Sequence, residues 1–136
     1  MKKILCFALL VLVFWATGMC TAEVPILLGN WTALGNGWHV ENGSTQLTEN
    51  QSLSVTISEQ KDRLFAGNMT YVENGTEVVE GFAGAIGLDD KTLYIAESNS
   101  GYDLGTIISD NDIELIYLQD GKMGDLEIEK LHRIKA

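Results

Sequence analysis

The sequence predicts an all-β protein: an eight-stranded antiparallel up-and-down barrel that follows an N-terminal signal segment. Apolar and polar residues alternate between turn signals along residues 23–136, and no apolar stripe of roughly 10 residues recurs at helical spacing. The only proline, Pro25, precedes the first predicted strand. Consecutive strands joined by short turns form a meander, and eight such strands close into a barrel without exposed edges.

Residues 1–22 have the three parts of a secretory signal peptide. Two lysines form the positive start, residues 4–16 form the apolar middle, and residues 17–22 are small or turn-prone. Cleavage is expected after Ala22, which leaves residues 23–136 as one domain. We therefore expect an exported protein, either extracellular or associated with the cell envelope.

Two anchored forms are the less favoured alternatives to a cleaved signal. A membrane-spanning helix needs about 20 apolar residues, and the apolar run is shorter. Lipid attachment at Cys20 is disfavoured because the bulky Met19 precedes it. The other cysteine, Cys6, also lies in the signal, so the mature domain has no disulfide and no cysteine for a metal cluster.

The charge and histidine content disfavour several classes of partner. Two of the nine basic residues lie in the signal, so the mature chain keeps seven against 19 acidic residues, a net charge of −12. This balance disfavours nucleic acid and anionic membrane surfaces. His39 and His132 are far apart in sequence, so no metal site and no other cofactor are expected.

The first half of the mature chain contains two strands on either side of a polar stretch. Residues 27–34 form the first predicted strand, and residues 35–50 are rich in Gly, Asn and Thr without a sustained period, so we expect a long loop there. Residues 52–58 alternate without error. That alternation places Leu53, Val55 and Ile57 on a buried face.

Turn residues separate the other strands. A tight connection at residues 60–62 leads to a third strand at 63–72, and Asn74-Gly75 supplies the left-handed residues of a two-residue hairpin turn. The fourth strand is predicted at about 76–88. Turn signals at 89–91, 99–101, 110–111 and 120–121 then bound strands at 92–97, 102–109, 112–119 and about 125–134.

The bulky residues predicted to face inward indicate a largely filled interior. They are Leu53, Val55, Ile57, Phe65, Met69, Phe82, Ile86, Leu93, Ile95, Leu115 and Tyr117. Phe-Ala-Gly occurs twice, at 65–67 and 82–84, on neighbouring strands. Glycines inside strands usually mark bends or close approaches; the floor of a ligand site is the alternative interpretation of Gly67, Gly81, Gly84 and Gly87.

Gly29-Asn30-Trp31 on the first strand and Arg133 on the last resemble the calycin signature of lipocalins, fatty-acid-binding proteins and avidins. This resemblance implies that Trp31 closes one end of the barrel with Arg133 stacked on its ring. Residues 28–32 are similar to the opening of avidins in particular. Residues 81–87 and 113–117 also resemble small exported proteins of unknown role from methanogenic archaea. This resemblance implies an exported location and does not imply an activity.

Two classes of function fit these observations best, and an enzyme ranks third, so no catalytic activity is expected. In the first, the long loop rings a barrel mouth that binds a small apolar or aromatic ligand through Trp38, Phe65, Tyr71, Glu80, Phe82 and Tyr117. In the second, the barrel interior is packed and the protein is a glycosylated component of the envelope or surface. Glu80 is either a desolvated carboxylate on the inward face or a residue that reaches water near the hairpin end.

Five asparagines begin N-x-S/T sequons, namely Asn30, Asn42, Asn50, Asn68 and Asn74. This excess over chance predicts a glycoprotein. We expect Asn42, Asn50 and Asn74 to be the acceptors because they fall in predicted loops or turns, whereas Asn68 lies within a strand. Sequence alone gives no expectation for oligomeric state.

Overall fold

The computed structural model describes residues 23–99 and 101–135, so the predicted signal peptide at 1–22 lies outside the described residues. The strands are β1 Gly29–Glu41, β2 Ser44–Lys61, β3 Leu64–Glu73, β4 Thr76–Ile86, β5 Thr92–Glu97, β6 Tyr102–Ser109, β7 Asp112–Gln119 and β8 Met123–Arg133. Each strand pairs antiparallel with the next, and β8 pairs with β1. The predicted eight-stranded closed barrel is confirmed. No stretch within the described ranges forms a helix long and apolar enough to cross a membrane.

The predicted loop at residues 35–50 is wrong, because this stretch forms the upper part of a long β1–β2 hairpin. Asn42 and Gly43 have φ angles of 49° and 77°, nearly the same as the 50° and 77° of Asn74 and Gly75. Both pairs therefore make a left-handed two-residue turn that matches strand twist. The first strand starts and ends later than predicted, and the second covers far more than residues 52–58.

The barrel has two ends that differ in composition. We call the end with the start of β1 and the end of β8 the lower end, and the end with the β1–β2 and β3–β4 turns the upper end. Apolar side chains fill the lower and middle interior, and a void between them measures about 10 Å³. That volume is at the limit of what one water molecule needs.

The core matches the sequence prediction closely. All the bulky residues predicted to face inward are buried except Tyr117, which is partly buried. Leu27, Trp31, Ala33, Ile113 and Leu131 complete the core. Burying each large apolar side chain contributes about 1.5–3 kcal/mol, so this core is the main source of stability in a domain without a disulfide.

The two Phe-Ala-Gly segments pack reciprocally across β3 and β4. Phe65 is directly opposite Gly84, and Phe82 is directly opposite Gly67. A Cβ atom on Gly84 would lie 2.3 Å from Cζ of Phe65, and one on Gly67 would lie 2.9 Å from Cζ of Phe82. The two rings also meet edge to face with centroids 6.3 Å apart. These glycines are close-approach points, as predicted, and each makes room for the aromatic ring of the other strand.

Trp31 and Arg133 close the lower end. Trp31 is 1% exposed, and its Nε1 donates a hydrogen bond to the carbonyl of Leu27 at 3.1 Å. The guanidinium carbon of Arg133 lies 4.1 Å from the centroid of the Trp31 rings. Arg133 also donates to the carbonyls of Leu28, Ile26 and Asp110 at 2.5, 2.8 and 2.8 Å. One side chain therefore joins the incoming chain, the β6–β7 turn and the core.

We predict that Arg133→Ala lowers the free energy of unfolding by about 2 kcal/mol or more, because it removes the cation–π contact and three charge-assisted hydrogen bonds. Arg133→Lys should recover less than half of this loss, since an ammonium group lacks the planar fork of a guanidinium. Urea denaturation measures both. Lys130→Ala, an exposed change on the same strand, is the control. A loss for Arg133→Ala no larger than that of the control would contradict this role.

We predict that Gly84→Ala destabilises the barrel by about 1–3 kcal/mol, because the new methyl group overlaps the ring of Phe65. Gly81→Ala is the matched control on the same strand: its methyl group would meet atoms only at 3.7 and 3.9 Å. The control should change stability by less than about 0.5 kcal/mol. Thermal unfolding distinguishes the two, and equal effects would rule out the ring contact as the cause.

Candidate functional site

The six residues predicted to line the mouth do not all lie together. Trp38 is 49% exposed and sits on the outer face of β1 opposite Leu126, so its placement at the mouth is wrong. The cause is that β1 continues as a strand, and residue 38 falls on the outward side of the alternation. Phe65 and Phe82 are buried in the core. Only Tyr71, Glu80 and Tyr117 lie in the upper interior.

The upper interior is lined by carboxylates. We call Glu80, Glu97, Asp103, Glu127 and Glu129 the acidic layer; they come from β4, β5, β6 and β8. Each continues the inward alternation that supplies apolar residues lower down, as in Leu93, Ile95 and Glu97 along β5. The acidic layer therefore rests directly on the apolar core.

Glu80 is held on the buried side of the acidic layer. It is 3% exposed, which favours the desolvated interpretation over contact with water. The hydroxyl of Tyr71 donates to its Oε2 at 3.1 Å, and the backbone N–H of Asn99 donates to its Oε1 at 2.5 Å. Burial, followed by the hydrogen bond to Glu80, raises the pKa of Tyr71 to about 12.

Asp103 and Glu97 form the least compensated part of the layer. Asp103 is 1% exposed, and its Oδ2 meets no hydrogen-bond donor in the described part of the chain. Burial raises the pKa of Asp103 to about 7, and burial together with the charge of Asp103 raises the pKa of Glu97 to about 9. Since two carboxylates cannot donate to each other, a hydrogen bond between these groups requires a shared proton.

Two further carboxylates reach the layer from β8. Burial is the main reason that the pKa of Glu129 rises to about 8, and Asp103 adds to it. The pKa of Glu127 is also raised, first by burial and then by the charge of Asp125. Glu127 covers Gly35 and Gly37 of β1, where a Cβ atom would meet its side chain within 3 Å. These glycines create the space that an inward glutamate occupies.

His39 and Asp125 form an ion pair above the layer. They are register partners on β1 and β8, and Nδ1 of His39 lies 3.0 Å from Oδ2 of Asp125. The hydrogen bond to Asp125 and its charge raise the pKa of His39. This imidazole is therefore a positive group at the upper end when it is protonated.

Sequence analysis missed Glu97, Asp103, Glu127 and Glu129. A signal was present, because the bounds of β5 and β6 were predicted correctly and Glu97 and Asp103 fall on the inward side of each alternation. The residues predicted to face inward were bulky apolar ones, and Glu80 was the one acid considered for the inward face. Burial of unpaired carboxylates is uncommon enough that composition alone does not predict it.

No metal centre is visible in the described ranges, where no three His, Cys, Asp or Glu residues are placed to hold an ion. His132 lies at the lower end beside Asp112, far from His39 in the fold. The carboxylates of the acidic layer come from different strands around the wall instead of converging on one point.

A shallow apolar groove of about 420 Å³ lies on the outside of the barrel across β3 to β6. Alanines form its floor, and Leu64, Tyr94, Tyr102 and Leu104 stand around it. Both tyrosines are about half exposed. The side chains of Leu64, Tyr94, Tyr102 and Leu104 are exposed on the outer face, whereas Asp103, which also borders the groove, has its side chain buried.

Comparison with known proteins supports the fold alone. No protein-family model and no curated protein matches the chain. Among solved structures, a redesigned β-barrel superimposes with a TM-score of 0.59 at 14% sequence identity, covering 88% of this chain and all of that one. The similarity shows a small antiparallel barrel and carries no information on activity.

We predict that the protein is more stable near pH 5.5 than near pH 8.5. The folded-state pKa values of about 7, 8 and 9 for Asp103, Glu129 and Glu97 exceed those of about 4 expected in an unfolded chain. The folded state therefore binds more protons between these values, so stability falls as pH rises through this range. We expect Tm to drop by roughly 5 °C or more in a thermal scan.

A double variant separates this effect from general charge repulsion. Glu97→Gln combined with Asp103→Asn should flatten the dependence of Tm on pH. Glu59→Gln combined with Glu77→Gln removes two exposed acids and should leave it steep. Measurements should stay above about pH 4, because hydrogen bonds from Thr92 hold the pKa of Asp89 at about 2 and stability from that group is lost in acid. A Tm that rises with pH would contradict the prediction.

Proposed function

We propose that the protein is an exported, non-catalytic barrel that binds a small ligand at its upper end, against the acidic layer. The observation that supports this is the asymmetry of the interior. The lower end is closed by Trp31 and Arg133 and packed with apolar side chains, whereas the upper end is lined by a small number of polar groups. Ligand sites combine a rigid apolar support with a small number of such groups.

The proposed ligand is polar, whereas the sequence predicted a small apolar or aromatic ligand. An apolar molecule has no room in the core, where the described void is about 10 Å³. The predicted ligand contacts that carry over are Tyr71, Glu80 and Tyr117. An aromatic contact is retained through the two tyrosines, both partly exposed at the upper end.

Export and glycosylation are part of the same proposal. Export rests on the three-part character of residues 1–22. Asn42 and Asn74 are exposed at the tips of hairpins, where a glycan can be attached without unfolding a strand. Asn50 lies within β2, contrary to its predicted position in a loop, although its φ of 56° marks an irregularity and its side chain is exposed.

A non-catalytic role is supported by the arrangement of the residues most similar to a hydrolase triad. Ser109 donates its hydroxyl proton to Oδ2 of Asp112 at 2.6 Å, and Nδ1 of His132 lies 2.8 Å from Oδ1 of the same carboxylate. In a working triad the imidazole stands between the serine and the acid. Here the acid stands between the other two, so the imidazole does not activate the hydroxyl.

A glycosylated surface protein with a packed barrel is the second candidate. The packed apolar half favours it, because a filled core needs no ligand for stability. The two candidate functions predict different occupancy of the upper end: a binding protein retains a molecule there, and a packed surface protein does not.

Native mass spectrometry of the protein purified from its own source tests the proposal. We expect a retained small molecule that denaturation releases. Glu80→Gln and Tyr71→Phe should lower the retained fraction, and Trp38→Phe, an aromatic change on the outer face, should leave it unchanged. Detection of the unliganded mass alone, in native spectra of fully folded protein, would favour the packed surface protein.

A further inference from the structure

We propose that the acidic layer binds a small organic cation, an amine or guanidinium whose N–H groups donate to the carboxylates and above all to the unpartnered Oδ2 of Asp103. This inference rests on the proposed function and names the ligand class for the same site. Asp103 is 1% exposed and belongs to a wall of carboxylates, so the geometry calls for a positively charged donor.

Within the described residues, no ion pair joins a lysine, arginine or histidine to a member of the acidic layer. The charges that act on Glu97, Asp103 and Glu129 are those of other carboxylates. Arg63 and Arg133 are committed to backbone carbonyls at the lower end. A buried carboxylate without a counter-charge is costly, and a bound cation removes that cost.

The arrangement favours an organic cation over a metal ion. Metal ions need ligands that converge at 2.0–2.6 Å, and no such group of three is found in the described residues. The carboxylates are spread over four strands, and an amine or guanidinium carries several donors that point in different directions. Glu97, Glu127 and Glu129 are partly exposed, whereas Glu80 and Asp103 are buried. The three exposed carboxylates therefore contact water, and the two buried ones would hold the bound cation.

Protons compete with the cation for the same oxygens. The titratable groups in or beside the layer are His39 and Glu41 on β1, Tyr71 and Glu73 on β3, Glu80 on β4, Glu97 on β5, Asp103 on β6, Tyr117 on β7, and Asp125, Glu127 and Glu129 on β8. Protonation of the carboxyls or of His39 opposes a cation, so binding should strengthen as pH rises and should release protons.

The test uses 1,4-diaminobutane as the probe, followed by NMR and calorimetry on the full mature chain. We expect saturable binding near pH 8.5 that weakens about tenfold or more near pH 5.5, with a shift of the Asn99 amide, whose N–H contacts Glu80. The neutral analogue 1,4-butanediol should not bind, and added sodium chloride at the same ionic strength should not reproduce the shift.

Variants locate the cation. Asp103→Asn and Glu97→Gln should each weaken diamine binding about tenfold, because each removes one charged acceptor. Their matched controls are the exposed Asp110→Asn and Glu77→Gln, which should bind as the parent does. Amide spectra confirm that each variant is folded. Because two positions are tested, the experiment remains informative if one of the two variants does not fold.

The outcomes distinguish two claims: that the upper end binds a ligand, and that this ligand is a cation. Diamine binding that is non-saturable, or unchanged in both layer variants, overturns the cation assignment. If the native spectra show a retained neutral molecule while the diamine does not bind, binding at the upper end stands and only the ligand class falls. If nothing is retained and neither the diamine nor the diol binds, the proposed function falls as well.

Discussion

The pairing of β1 with β8, fixed by Trp31 and Arg133, is the constraint on which the rest of the barrel depends. These two residues are register partners, and the arginine folds over the indole while it holds the carbonyls of the incoming chain. A slip of one residue would turn every inward side chain of β8 to solvent. The closure also removes both sheet edges, which otherwise invite pairing with another chain.

The same register decides what lies inside at each height. Trp31 faces Arg133 at the bottom, Ala33 faces Leu131 above it, and Gly35 faces Glu129 above that. The interior therefore changes from aromatic to aliphatic to acidic along one pair of strands. Gly35 and Gly37 of β1 lie opposite Glu129 and Glu127 of β8, and the absence of a side chain on each glycine leaves space for a glutamate side chain. The acidic layer is a built feature of the barrel and not an accident of surface charge.

Most of the fold was predictable because periodicity reports burial directly. Strands 92–97, 102–109 and 112–119 have the predicted bounds, and the roles of Trp31 and Arg133 follow from the family resemblance. The β1–β2 hairpin was missed because its strands extend beyond the core at the upper end and carry polar residues on both faces. Asn42-Gly43 was the available signal, identical to Asn74-Gly75. The acidic layer was missed because alternation shows which side a residue faces but not whether an acid there stays dry.

The acidic layer is also where local rules of stability are broken, as is expected at functional or strained sites. A domain without a disulfide gains nothing in stability from Asp103, whose Oδ2 has no donor among the described residues. Replacing that carboxylate by an apolar side chain would suit the core below it. Its cost is offset only when a proton or a ligand arrives, and a ligand that binds the folded state alone adds to stability by mass action. Under the proposed function, protonation, ligand binding and folding are linked through the same oxygens, and the apolar half with its Trp31–Arg133 closure keeps the barrel folded whether those oxygens hold a proton or the ligand.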